Sequence, residues 1–298
     1  MSMNLPVVVI TGSSSGFGRL FAEKFARNGY SVFATMRGAN GKNAKSAENL
    51  RAFAAQNALP IEVMEMDVTD EASVNACVAG VVSKAGRIDV LINNAGFAYV
   101  DLMEAITIEQ TKKIFDTNVF GVQRTMRAAL PQMHKQKSGL VMQISSGAGR
   151  LVFPCFGIYN ASKFALEALT EAYRYELAEC GIDCVSLEPG AYKTEIFGKI
   201  DRGDDAARIA SYRGMATVPE KMHSKVASIA GDPNEVADAA LEIAQTPFGK
   251  RQLRYRIGSG GPGVVEINKL TDQVQQQLLQ AFGLSELTKQ ASSSSANA

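Results

Sequence analysis

Six times along this chain a short β-branched or aliphatic run gives way to a stretch of helical periodicity, and that alternation restricts the fold more than any other feature. The first run, residues 5–11 (LPVVVIT), is continuously apolar, which suits a parallel strand buried on both faces. A glycine turn over 12–18 follows. A helix is then expected over 18–28, with Leu20, Phe21 and Phe25 on one face and Gly29 as its stop. Further strands are expected at 31–35, 61–66, 90–92, 140–144 and 183–187. Helices are expected at 43–57, 71–84 (capped by Thr69 or Asp70), 107–136 (broken near Pro131) and 158–180. Such a succession specifies an α/β fold, a doubly wound parallel sheet with helices on both faces.

The order thins after Pro189. Asp232 and Pro233 are expected to open another helix, with Asp232 as cap and Pro233 at the first helical position. A seventh strand is expected at 252–257 and a helix at 264–282. No linker divides the chain. The expected organisation is one dinucleotide-binding and catalytic unit over 1–258, with a variable loop at 191–230. A helical extension at 259–290 and a disordered tail (ASSSSANA) at 291–298 complete it.

Hydrophobic residues make up 46% of the 298 and charged residues 20%, enough for a sizeable core. Thirty-one Lys and Arg against thirty Asp and Glu leave a formal charge of +1, which argues against nucleic acid as a partner. Cys77, Cys155, Cys180 and Cys184, with only His134 and His223, show no zinc-site spacing and read as reduced thiols of a cytoplasmic protein. The N-terminal apolar run lacks a basic flank and no run of about 18 apolar residues occurs, so neither a signal peptide nor a membrane span is expected.

Three places carry chemistry. Gly12, Gly16 and Gly18 lie between a strand and a helix, where turning backbone and unpaired helix N–H groups suit a pyrophosphate. The end of the second strand reads Ala34-Thr35-Met36-Arg37, without the acid that usually bonds an NAD ribose. Arg37 is instead suited to a 2′-phosphate. Tyr159 and Lys163, four apart, share a helix face, and an ammonium beside a phenol would lower its pKa from about 10. Each has a plain alternative: an ordinary turn, a solvated Arg, and a half-buried Tyr beside a surface Lys.

Taken together, TGSSSGFG at 11–18, Asp67-Val68, NNAG at 93–96, Asn118, Ile144-Ser145-Ser146, YNASK at 159–163 and Pro189-Gly190 with Thr194 resemble the short-chain dehydrogenase/reductase family. The resemblance covers about residues 5–258, and its texture is similar to that of hydroxysteroid and retinol dehydrogenases. It implies a Rossmann-type fold of about seven strands and an NADP(H)-dependent oxidoreductase, NAD(H) being less favoured because of Arg37. It implies that Gly12, Ser14, Gly16, Phe17 and Gly18 line the pyrophosphate and that Asp67 and Val68 flank the adenine. Asn94, Ala95 and Gly96 would edge the cleft, and Pro189, Gly190 and Thr194 would meet the nicotinamide. Tyr159 becomes the acid/base, Lys163 its ribose-binding partner, Ser146 (or Ser145) the group that polarises the carbonyl, and Asn118 the anchor of a proton-relaying water chain.

Phe97, Phe153, Phe156 and Tyr192 sit beside these motifs and are expected to wall an apolar pocket for a small carbonyl or alcohol. A homodimer or homotetramer is implied, paired through the helices at 107–136 and 158–180. Two other readings were weighed: an epimerase or dehydratase holding its cofactor permanently, and a cofactor-sensing binding protein. The extended relatives that do the former are longer in the substrate domain and favour a GxxGxxG turn rather than the GxxxGxG seen here, and the intact Ser146, Tyr159, Lys163 and Asn118 argue against the latter.

Overall fold

The computed structural model describes residues 5–194, 201–258 and 262–288. Seven parallel strands form one sheet in the order β3-β2-β1-β4-β5-β6-β7. They are β1 (Val7–Ile10), β2 (Ser31–Met36), β3 (Ile61–Glu65), β4 (Val90–Asn93), β5 (Gly139–Ile144), β6 (Ile182–Pro189) and β7 (Arg254–Ile257). The helices on the sheet's two faces include α1 (Gly16–Arg27), α2 (Ala44–Gln56), α3 (Glu71–Ala85), α4 (Ile108–Phe115), α5 (Gly121–Gln136) and α6 (Gly157–Glu176). After β6 come α7 (Ala206–Ala210), α8 (Val218–Ser228), α9 (Asn234–Gln245) and, beyond β7, α10 (Pro262–Ala281).

The period-two geometry of β1 shows why the run at its start had to be apolar throughout. Val8 and Ile10 pack with Phe21 and Phe25 of α1, Leu50 of α2 and Ile243 of α9. Val7 and Val9 point to the opposite face and meet Val74 and Val78 of α3, Met126 and Met133 of α5 and Leu166 of α6. A strand sandwiched between two helix layers has no polar face. Strand order reverses at β1, which pairs with β2 on one side and β4 on the other, so a crevice opens outside their carboxyl ends.

Two expected boundaries moved. The break in the helix at 107–136 comes not at Pro131, which lies inside α5, but at a π-helical turn, Asp116–Phe120. Here Asn118 is held from outside the helix, by Phe97 and Ser162, and the backbone takes up the extra residue locally. At α9, Pro233 is the cap residue rather than the first helical one, and Asp232 accepts the Asn234 N–H at 2.9 Å through its side chain. Asp70, not Thr69, caps α3. The tail at 291–298 lies outside the described residues.

At the far end of the sheet, Asp183 of β6 is buried between Arg174 of α6 at 2.7 Å and Arg251 at 2.6 Å, tying helix, strand and the approach to β7 together. Removing one member of a buried ionic cluster leaves the others desolvated without compensation. Asp183→Ala is therefore expected to lower unfolding stability by about 3–5 kcal/mol. Urea unfolding checks this; a loss below ~1 kcal/mol would mean the two guanidinium groups are satisfied by carbonyls alone.

Candidate active site

The crevice at the switch point is a cavity of about 510 Å³, and its floor is made by backbone rather than side chains. Gly12 has φ +71°, and a Cβ there would lie 2.8 Å from Ala95 Cα. Gly18, inside the first turn of α1, packs so closely on Gly12 that a Cβ would meet its carbonyl oxygen and come within 2.6 Å of Asn94 Nδ2. Three segments thus converge with no room for a methyl group, leaving the start of α1 open to the cavity. That turn carries no acidic side chain, so nothing opposes an anion at the helix N-terminus.

Thr11 and Asn94 fasten this arrangement. The buried Thr11 hydroxyl accepts the backbone N–H groups of Asn94 and Ala95, both at 2.9 Å. Asn94 Nδ2 donates to the carbonyls of Thr11 and Gly12 at 2.9 and 3.1 Å. Ser14, Gly16, Phe17, Ala95, Gly96 and Phe97 line the cavity beside them.

At one end lie Met36, Arg37, Lys42, Asn43, Met66, Asp67, Val68 and Thr69. No carboxylate follows β2, as the residues there indicated. Arg37 is exposed at the mouth with Lys42 a few residues on. The connecting loop is rigidly held. Glu65 accepts the N–H groups of Gly38 and Ala39, each at 2.6 Å, and Asn43 Nδ2 donates to the Arg37 carbonyl at 2.7 Å. Burial works against the Asp67 carboxylate, yet bonds from Thr69, helped by Arg37 and Lys42, hold it below the usual carboxylate range.

At the other end are Ile144, Ser145, Tyr159, Lys163, Thr117, Lys113 and Thr194. Ser146 caps the short turn after β5, accepting the Ala148 N–H at 3.1 Å, and stands near enough to the Tyr159 phenol to lower it, although Ser145 rather than Ser146 lines the cavity. Lys163 Nζ lies 5.8 Å from the centre of the Tyr159 ring and donates to the Ile144 carbonyl at 2.7 Å. Burial pulls the Lys163 pKa down to about 8, with the Glu167 carboxylate acting in the opposite sense. The phenol departs from expectation: burial raises it above its ordinary value, and the group that lowers it is Ser146 rather than Lys163. Asn118 is buried, its Oδ1 accepting the Phe97 N–H at 3.1 Å and its Nδ2 donating to Phe97 O and Ser162 Oγ at 3.0 and 3.1 Å. Its side chain ties the strand β4 exit to α6.

Several residues expected at the site stand elsewhere. Tyr192 is buried in the core, edge-on to Phe17 at 5.7 Å, with its hydroxyl donating to Glu235 at 3.0 Å, so it does not wall the cavity. Phe153 lies outside the lining and is partly exposed, while Phe156 stands edge-on to Tyr159 at 6.3 Å. Pro189 ends β6, and the Gly190 N–H is spent on the Ile257 carbonyl at 3.0 Å. Conversely Lys42, Asn43, Lys113, Thr117 and the fastening role of Thr11 were not anticipated. Thr11 was visible as the first letter of TGSSSGFG. Lys42 was visible as a second cation in the loop that Arg37 begins.

Among the described residues no three His, Cys, Asp or Glu side chains gather as a metal site, and no helix is long and apolar enough to cross a membrane.

Residues 6–205 match the short chain dehydrogenase family. The uncharacterized oxidoreductase YusZ of Bacillus subtilis (strain 168) is 37% identical over 87% of this chain and 91% of its own length. Estradiol 17-beta-dehydrogenase 1 of Rattus norvegicus is 34% identical over 85% and 74%. A short-chain dehydrogenase structure from Streptomyces avermitilis superposes with a TM-score of 0.76 at 33% identity, covering 96% of this chain and 98% of that one. Solved relatives of this kind hold nicotinamide dinucleotides. ElxO with NADP bound is 29% identical with a TM-score of 0.69, covering 85% and 97%. An enzyme from Burkholderia phymatum in complex with NAD is 26% identical with a TM-score of 0.72, covering 93% and 96%. A seven-stranded parallel sheet, a glycine cradle at its switch point and a family match over two-thirds of the sequence agree: this chain belongs to the short-chain dehydrogenase family of oxidoreductases.

Proposed function

We propose that the protein is an NADP(H)-dependent oxidoreductase that interconverts a ketone or aldehyde and an alcohol on a mostly apolar small molecule. The observation that carries this reading is the joining, in one cavity, of a backbone cradle and the Tyr159–Lys163 pair, with Ser146 near enough to the phenol to lower it. The cradle at Gly12, Gly16 and Gly18, where close packing at Gly12 and Gly18 and positive φ at Gly12 and Gly16 require glycine, fits a pyrophosphate at the start of α1. Asp67 and Val68 border the adenine region, and Arg37 and Lys42 are the cations available to a 2′-phosphate.

A bound nicotinamide supplies or accepts the hydride. Tyr159 donates its phenolic proton to the substrate oxygen in reduction and takes it back in oxidation. A phenol raised by burial stays protonated near neutral pH, as a general acid must. Ser146 donates a hydrogen bond to the same oxygen, where negative charge develops. Lys163 holds the ribose and supplies the cation that favours a departing proton from Tyr159. Asn118 keeps the Phe97 segment and α6 in register and anchors the relay that returns the proton.

An apolar substrate is supported by Phe97 in the lining and Phe156 against Tyr159. The cations that an anionic substrate would need are engaged or remote. Arg150 donates to Thr271 of α10 at 2.6 Å, Lys193 is exposed beside Asp232, and Lys113 is 3.8 Å from Asp201. The rat relative is named for a steroid, which agrees. The reading includes a cytoplasmic protein, active as a homodimer or homotetramer.

Tyr159→Phe is expected to cut turnover by ~10²–10⁴-fold while leaving NADPH binding intact; retention of more than about a hundredth of the rate would refute the general-acid role. Arg37→Ala and Lys42→Ala should each raise the Michaelis constant for NADPH roughly tenfold or more, the worth of a charge-assisted hydrogen bond, with that for NADH little changed. Steady-state kinetics of the wild type with both coenzymes decides this, since a preference for NADH is incompatible with it. Ile108, Phe120 and Phe164 are exposed apolar residues on α4, the π turn and α6, the faces assigned to self-association. Light scattering at micromolar concentration should report a dimer or larger; a monomer would reject that assignment.

A further inference from the structure

The helix that carries Tyr159 and Lys163 continues their row inward. Glu167 is the next residue at a spacing of four, and it is almost wholly buried, as is Lys163. Side chains four apart on a helix have Cβ atoms about 5–6 Å from one another. Gly149 fills the angle between them: a Cβ there would lie 3.0 Å from both Glu167 Cγ and the Lys163 carbonyl and 3.1 Å from Ser145 Oγ. Nothing in the chemistry derived above uses Glu167.

Its surroundings are those of a group held in one place. Glu167 Oε1 accepts the Ser186 hydroxyl at 2.5 Å, and Oε2 has no hydrogen-bond partner, with Arg254 Nε 3.5 Å away. Two residues along β6 from Ser186, on the same face, stands the fully buried Glu188. Its Oε2 accepts Asn268 Nδ2 of α10 at 2.7 Å, and its Oε1 is likewise without a hydrogen-bond partner. The charged groups facing this pair come from every neighbouring element. They are Lys163 and Glu171 on α6, Arg254 and Arg256 on β7, Asp272 on α10 and Arg150 from the turn after β5.

We propose that Glu167 is a positioning residue for the reaction: one helical turn behind Lys163, its carboxylate keeps that side chain in the ammonium form, with the buried Glu188 as the second carboxyl of the cluster. The proposal rests on the Tyr159–Lys163 chemistry above. Two carboxylates in one dry site do not both ionise freely. Burial, and then the Glu167 charge, push Glu188 up to about 7, while Asn268, Arg150 and Arg254 pull it down. Above that range Glu188 ionises. The direction of the effect on Lys163 follows. Burial lowers it to about 8 and the Glu167 charge raises it, so removing that charge makes the ammonium deprotonate at lower pH.

The test reads Lys163 directly, by ¹³Cε-lysine NMR titration of the full-length protein, with Lys163→Arg to assign the resonance. Glu167→Gln keeps the size and the hydrogen bond to Ser186. It should move the Lys163 midpoint down by about 1 pH unit or more, the lower end of what a nearby opposite charge contributes. With NADPH and an accepted ketone, the alkaline limb of kcat/KM should move by a similar amount. Glu188→Gln should shift both in the same direction by less, and it carries the test if Glu167→Gln does not fold. Glu171→Gln, which removes a carboxylate bound to Arg254 and Tyr175 one turn beyond Glu167, should leave the midpoint where it is. An unmoved or raised midpoint in the Glu167 or Glu188 variant overturns the proposal, as does an equal shift in the Glu171 variant. Activity surviving in Tyr159→Phe would instead overturn the acid/base reading, and the lysine titration would still report on Glu167.

Discussion

The structure depends on the contact between the carboxyl ends of β1 and β4. Parallel strands at a switch point tend to leave a crevice there, but its shape is undetermined until something fixes how closely the two chains approach. Here Thr11 and Asn94 fix it, by four hydrogen bonds of 2.9–3.1 Å that span more than 80 residues of sequence. Thr11 accepts two backbone N–H groups and Asn94 donates to two backbone carbonyls, so neither is free to turn away. Gly12, Gly18 and Ala95 then pack in the space that remains, and the start of α1 has only one direction in which to point. Tyr159 and Lys163 arrive from α6, on the far side of β5. Asn118 sets their height relative to this floor by holding the Phe97 segment and Ser162 together.

Most of this was legible because it rests on periodicity and on residue types with few uses. All seven strands and the principal helices fall where alternation of apolar runs placed them, within two residues at nearly every end. Glycines between a strand and a helix, and Tyr and Lys four apart, are local patterns, and the structure brings them into one cavity. What was not legible involves direction or distance. Tyr192 lies between Gly190 and Thr194, and Thr194 lines the cavity. Tyr192 turns the other way because Phe17 and Glu235, which it contacts, come from α1 and α9, remote in sequence. The π turn was invisible for a different reason. An inserted residue has no residue-type signature of its own, whereas a proline, which lies inside α5 at 131, is conspicuous.

The phenol shows how burial changes the sign of an argument made from spacing alone. Lys163 was expected to lower Tyr159 because opposite-charge stabilisation of a phenolate is the larger effect in water-exposed pairs. In this cavity desolvation dominates for both groups, raising the phenol and lowering the ammonium. Ser146, which donates or accepts without carrying charge, is the group positioned to favour phenolate. The pair is therefore set up less as a preformed ion pair than as a neutral phenol beside an ammonium whose hold on its proton burial has weakened.

The loop after β2 has a consequence for how such proteins diversify. Its shape is maintained by Glu65, which grips the amides of Gly38 and Ala39, and by Asn43, which grips the Arg37 carbonyl. None of these bonds uses the side chain of Arg37 or Lys42. Scaffold and recognition are carried by separate atoms, so the two cations can be exchanged without the loop losing its conformation. On the reading proposed for Arg37 and Lys42, selectivity between phosphorylated and unphosphorylated ribose could drift by single substitutions in a lineage, each intermediate keeping the loop that Glu65 and Asn43 hold. Glu65 is the position where the same drift would be blocked, because changing it alters the loop itself.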